Sequence, residues 1–204
     1  MDPSEIILLD GGMGTMLQAA GLPIGQLPEL WNVARPEAVT AIHRRYVEAG
    51  SRVLYTNTFG ANRYKAAGCG RSVRELVEGG VRCARAAAEG HDVKVALDIG
   101  PTGRLLEPLG DLDFEEACEV FREIVAAGAE AGADLIVIET MSDLNEMRAA
   151  VLAAKENSSQ PVWATMTFEA TGRTFLGVTV GAMALTLTGL GVDALGFNCS
   201  LGPN

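Results

Sequence analysis

The sequence predicts an α/β protein of the (β/α)₈ barrel type, with about six of the βα units present. Two observations carry this. Short aliphatic runs alternate with amphipathic stretches along nearly all of the 204 residues, which is the pattern of βαβ units around a parallel sheet. Polar, glycine-flanked residues also follow run after run: Asp10, Thr56-Asn57-Thr58, Asp98, Glu139-Thr140, Thr167-Phe168-Glu169 and Asn198-Cys199-Ser200. A doubly wound sheet gathers its site at one switch point. A barrel collects every strand's C-terminal end on one face, so decoration of successive strand ends favours the barrel. A complete barrel takes about 250 residues, so the single domain over residues 1–204 is expected to lack its last two βα units.

Each element has its own signal. Ile6–Asp10 reads as the first strand, aliphatic and closed by the loop Gly11-Gly12-Met13-Gly14-Thr15. Arg35-Pro36-Glu37 opens a helix, because proline suits a first helical turn and Val39, Ile42, Tyr46 and Val47 follow at helical spacing. Ala49-Gly50 ends it, and Arg52–Thr56 is the next strand. Three helices, near Val73–Ala88, Phe114–Ala131 and Asp143–Lys155, alternate with strands at Val93–Asp98, Asp134–Glu139 and Pro161–Thr167. A short helix at Gly181–Leu190 and a strand at Asp193–Asn198 complete the six.

Composition narrows the function classes. Acidic side chains outnumber basic ones 26 to 16, for a net charge of −10, the wrong sign for nucleic acid or an anionic membrane surface. No apolar run is long enough to span a bilayer, and Met1–Glu5 carries neither the basic region nor the apolar core of a signal peptide. Cys69, Cys83, Cys118 and Cys199 lie far apart, unlike the dense frameworks of small secreted chains. A cytoplasmic protein with free thiols is expected.

Read residue by residue, the motifs stay open. The loop at Gly11 and Gly12 lacks the spacing of a phosphate-binding motif. Its glycines would let backbone N–H groups approach a carboxylate, or serve only as a turn. Asp10 and Glu139 are strand-end carboxylates that either brace loops or await a cation, since buried charge is expensive unless paired. Asp98 reads better as a brace. Cys199 stands at the lip of the last strand with no second cysteine placed beside it, and one cysteine makes no metal site. His43 and His91 fall on the outer or opposite side of a barrel and form no catalytic pair with a Ser or Cys.

Taken together the motifs are far more specific. Asp10-Gly11-Gly12-Met13-Gly14-Thr15, then Tyr55 to Asn62 (YTNTFGAN), Asp98 to Gly103 (DIGPTG), Glu139-Thr140 and Gly196 to Pro203 (GFNCSLGP) occur in this order. The sequence resembles the homocysteine S-methyltransferase family, most closely the branch that forms the N-terminal homocysteine-binding module of cobalamin-dependent methionine synthases. The resemblance implies a barrel with a zinc ion at its C-terminal face, where metal-bound homocysteine thiolate takes a methyl group. It implies Cys199 as one zinc ligand and Asp10 and Glu139 as holders of the substrate ammonium. Gly11 and Gly12 would face the amino-acid moiety, and Asn57 and Asn198 would line and brace the pocket. The family's other two zinc ligands, an adjacent cysteine pair, do not occur here, so one of three ligands is present. Methylcobalamin would be the donor, with cobalamin- and folate-binding modules on the same or a partner chain; betaine or S-methylmethionine are alternatives. The rival is a non-catalytic fragment that folds by self-association and binds no zinc. A Mg²⁺-dependent lyase or aldolase built on Asp98 and Glu139 is disfavoured, because no Lys or His stands at a strand end.

Overall fold

The computed structural model describes residues 6–200. Its centre is a five-stranded, all-parallel sheet, β1 (Val53–Tyr55), β2 (Lys94–Ile99), β3 (Leu135–Met141), β4 (Val162–Met166) and β5 (Ala194–Phe197), each strand paired with the next in sequence. The order never reverses, so there is no switch point. It is the wall of a barrel, open among the described residues between β5 and the N-terminal segment.

The helices α3 (Pro36–Glu48), α4 (Val73–Ala88), α5 (Phe114–Glu130), α6 (Leu144–Asn157) and α7 (Val180–Gly189) connect or follow the strands. Their starts are written in the sequence. Ser72 and Glu75 form a reciprocal capping box on α4, and Asp113, Asp143 and Thr179 accept first-turn amides of α5, α6 and α7. Gly50 and Gly132 end α3 and α5 at φ 99° and 92°, a backbone conformation that only glycine adopts without strain. Before α3 lie α1 (Met13–Ala19), a 3₁₀ turn at Pro28–Leu30 and α2 (Trp31–Ala34), too short to register as helical periods. Their apolar residues form a satellite cluster in which Leu17, Leu22 and Trp31 pack with Val39, Ile42 and Cys83.

The two faces of the sheet follow the strand period of two. Leu54, Val95, Leu97, Ile99, Ile136, Ile138, Val162, Ala164 and Met166 point outward and form the main core with the helices. Val53, Ala96, Leu135 and Val137, with Ile7, Tyr55 and Trp163, fill the inside of the wall. Continuing this parity by two residues brings Asp98 and Glu139 to the inner face, at the C-terminal ends of β2 and β3.

One expectation changes. Ile6–Asp10 is not a full strand: it makes a single parallel bridge, Leu9 to Val53, with backbone bonds Arg52 N to Leu8 O (2.8 Å) and Asp10 N to Val53 O (3.1 Å). Among the described residues it has a neighbour on one side only, and Ile6 and Leu8 stay 96% and 55% exposed. His43, on the outer helix α3 as expected, is completely buried there. At the other end of the wall Leu195 and Phe197 of β5 are exposed, as are Leu185 of α7 and Phe175 before it. Among the described residues no helix is long and apolar enough to cross a membrane.

Candidate functional site

The C-terminal ends of β1, β2, β3 and β5 surround a cavity of about 420 Å³, walled by Met13, Leu27, Pro28 and Phe59 and edged by Thr56, Asn57, Asp98, Glu139, Thr140 and Cys199. The Asp10 carboxylate is anchored beside it, where Oδ2 accepts the Tyr55 amide at 2.9 Å.

A bulge in β3 aims Glu139. The β3–β4 register shifts between Ile138 and Met141, and Thr140 sits at φ 60°. A β-branched residue in the left-handed region costs on the order of 1–3 kcal/mol and persists only where its surroundings over-determine it. Here Asn198 does so. Its Oδ1 accepts the Thr140 amide (3.0 Å) and the Thr165 hydroxyl (2.9 Å). Its Nδ2 donates to Glu139 Oε2 (2.6 Å) and Thr140 Oγ1 (2.8 Å). Asn198 Nδ2 and the Thr140 hydroxyl also each reach the Cys199 sulfur at 3.6 Å, with Cys199 itself at φ 49°. One amide side chain thus ties the bulge of β3 to the end of β5. Bulges beside sites commonly re-aim a side chain in this way.

The carboxylates crowd one another. Burial, opposed by the Tyr55 amide and reinforced by the charge of Glu139, pushes Asp10 up to about 7. Burial raises Glu139 as well. Asp98 is held well above the usual carboxylate range by burial and then by the charges of Glu139 and Asp10, and its Oδ1 meets no partner among the described residues. The site is short of positive charge.

The sequence-derived candidates divide. Asp10, Glu139, Asn198 and Cys199 come together. Asn57 edges the cavity, but its amide is taken by Pro28 O (3.0 Å) and Asn32 Oδ1 (2.8 Å), so it braces the 3₁₀ turn. Gly11 and Gly12 turn toward α3: the Tyr46 hydroxyl donates to Gly12 O at 3.1 Å, and a Cβ on Gly11 would lie 3.0 Å from that ring. Met13 and Gly14 reach the cavity in their place. Asp98, read from sequence as a brace, faces the cavity; its parity with Ala96 was the available signal. Glu29 and Lys65 also line it, and no sequence signal marked them. No three metal-ligating side chains stand together among the described residues. Cys199 alone does not fit a zinc ion, and Leu201–Pro203 of its motif lie outside the described residues, as does Met1–Glu5.

The chain is similar to known proteins. The homocysteine methyltransferase MmuM from Escherichia coli, in its metallated form, superposes with a TM-score of 0.85 at 27% identity, over 97% of this chain and 76% of its own. Methionine synthases of Mycobacterium leprae and Mycobacterium tuberculosis are 34% and 35% identical over 98% of this chain, which spans 18% of their length. The homocysteine S-methyltransferase family model matches residues 7–204, and on that match, laid over a parallel wall with its polar residues at the strand ends, the chain belongs to the homocysteine S-methyltransferase family.

Proposed function

We propose that the chain binds homocysteine for transfer of a methyl group to its thiol, giving methionine. The observation that carries this is the pair Asp98 and Glu139 lining one cavity with Cys199, and the Asp10 carboxylate close enough to act on both. Desolvated carboxylates without a cation are costly, and the ammonium of an amino acid would offset that cost and return them to the charged form. In this reading Asp10 and Glu139 hold the ammonium, Asn198 positions Glu139, and Asn57 keeps the wall in place. Gly11 and Gly12 act through the loop that carries Met13 and Gly14 to the ligand. Cys199 is one ligand of a zinc site whose other two ligands, with the last two βα units, come from beyond these residues. The exposed faces of Leu195 and Phe197 support such a covering. The donor is methylcobalamin, presented by a cobalamin-binding module, with a folate module to recharge it. Without a covering unit the chain self-associates through the same open face, which sedimentation at micromolar concentration reports.

Calorimetry tests the reading. Homocysteine binding that weakens about tenfold or more in Glu139→Gln is expected, because an ammonium–carboxylate hydrogen bond contributes roughly 1.5–3 kcal/mol. The chain alone is expected to hold zinc weakly and below one equivalent. Unchanged homocysteine affinity in the variant would overturn the ammonium assignment. One tightly held zinc per chain would overturn the ligand assignment.

A further inference from the structure

We propose that the Glu29 side of the cavity is a second ammonium subsite, taking a primary or secondary alkylammonium group separate from the one assigned to Asp10 and Glu139. Glu29 stands on the 3₁₀ turn, lines the cavity and is 2% exposed. Its Oε1 accepts the Gly60 amide, while Oε2 meets no partner among the described residues. Gly60 makes this possible, since a Cβ there would fall 2.9 Å from Glu29 Oε1. One oxygen is therefore fixed and the other left without a donor.

A neighbour supplies charge but no donor: the Lys65 ammonium is close enough to act on Glu29 yet makes no hydrogen bond to Oε2. Lys65 directs its ammonium to the Pro101 carbonyl at 2.8 Å and rests 5.1 Å from the Phe59 ring centroid. Asp98, across the cavity, adds a second unpartnered oxygen and feels the charges of both Glu29 and Glu139. A buried carboxylate oxygen without a donor is costly. An N–H bearing cation provides the missing hydrogen bond and adds to the charge of Lys65. A metal ion does not suit, because no three ligating side chains gather among the described residues. The walls at Met13, Leu27 and Phe59 fit an alkyl body. A cavity of about 420 Å³ is in the range that holds drug-sized ligands and exceeds what one small amino acid fills.

The subsite does not depend on the homocysteine reading, and the experiment keeps the two apart. n-Butylammonium is titrated into the full chain, with and without saturating homocysteine, and the Gly60 amide shift is followed by NMR. A saturable shift is expected in both conditions and in Glu139→Gln. In Glu29→Gln the affinity is expected to fall about tenfold or more, and n-butyltrimethylammonium, which has no N–H, to give no saturation. Absence of saturation with n-butylammonium, equal affinity in Glu29→Gln, or loss of binding in Glu139→Gln would each overturn the proposal. If Glu29→Gln does not fold, Leu27→Trp decides, because it fills the cavity beside an intact carboxylate. Binding that survives Leu27→Trp also overturns the subsite.

Discussion

Replacing His43 by leucine isolates one buried imidazole whose cost depends on pH. The ring is completely buried on α3, neither nitrogen meets a partner among the described residues, and burial pushes its pKa from 6.5 down to about 4. Between those values the unfolded chain takes up a proton that the native chain refuses, so stability is lost as pH falls from 6.5 toward 4. At about 1.36 kcal/mol per unit, the window of roughly 2.5 units is worth about 3 kcal/mol. Asp10, Glu29, Asp98 and Glu139 act in the opposite sense, because their raised values let the native state bind protons first. The assay is therefore a difference of differences: urea unfolding of the parent and His43→Leu at pH 7.5 and at pH 4.5. The carboxylate contributions cancel, and the variant gains about 2–3 kcal/mol on the parent at the lower pH. A stability gap that is the same at both pH values would refute the buried, neutral imidazole.

Gly128→Ala places a methyl group 2.4 Å from Leu97 Cδ2, and Leu97 is fully buried. The overpacking, about 1–3 kcal/mol, exceeds the gain in helix propensity of about 1 kcal/mol, so the melting temperature falls; an unchanged melt contradicts the close approach of α5 to β2. For Asp10, held near 7 by burial, the stabilising contribution present below 3.8 is lost as pH rises through about 7. On the proposed reading homocysteine binding needs the carboxylate, so it strengthens over the same rise. Asp10→Asn flattens the calorimetric profile, and a profile identical to the parent's shows that Asp10 does not titrate with binding.

Much of this was legible in the chain, and the limits have physical causes. The run at Leu135–Glu139 and the amphipathic stretch at Val73–Ala88 each carry a local signal, periodicity or a cap, and they fold as read. Ile6–Asp10 carries the same aliphatic signal, yet a strand needs partners, and a run of side chains says nothing about whether a second neighbour is there. The site divides likewise. Asp10, Glu139 and Asn198 follow strands directly, so position along the chain reveals them. Glu29 reaches the cavity from a turn inserted between the first strand and α3, and only the path of that insertion brings it to Gly60. Asp98 was within reach: counting two residues from Ala96 puts it inside the wall.

The single bridge at Leu9 has a dynamic consequence. The segment bearing Asp10 is fastened to the sheet by two backbone bonds, by the Ser51 hydroxyl donating to Leu9 O at 3.2 Å and by the Tyr55 amide donating to Asp10 Oδ2 at 2.9 Å. Glu139, by contrast, is fixed through β3, β4 and β5 at once. Opening free energies follow such differences in local fastening, so the Arg52 and Asp10 amides exchange with solvent long before those of β3. A ligand that joins Asp10 to Glu139 slows that exchange by tying the loose rim of the wall to its rigid part. What binds in the cavity also serves as a latch.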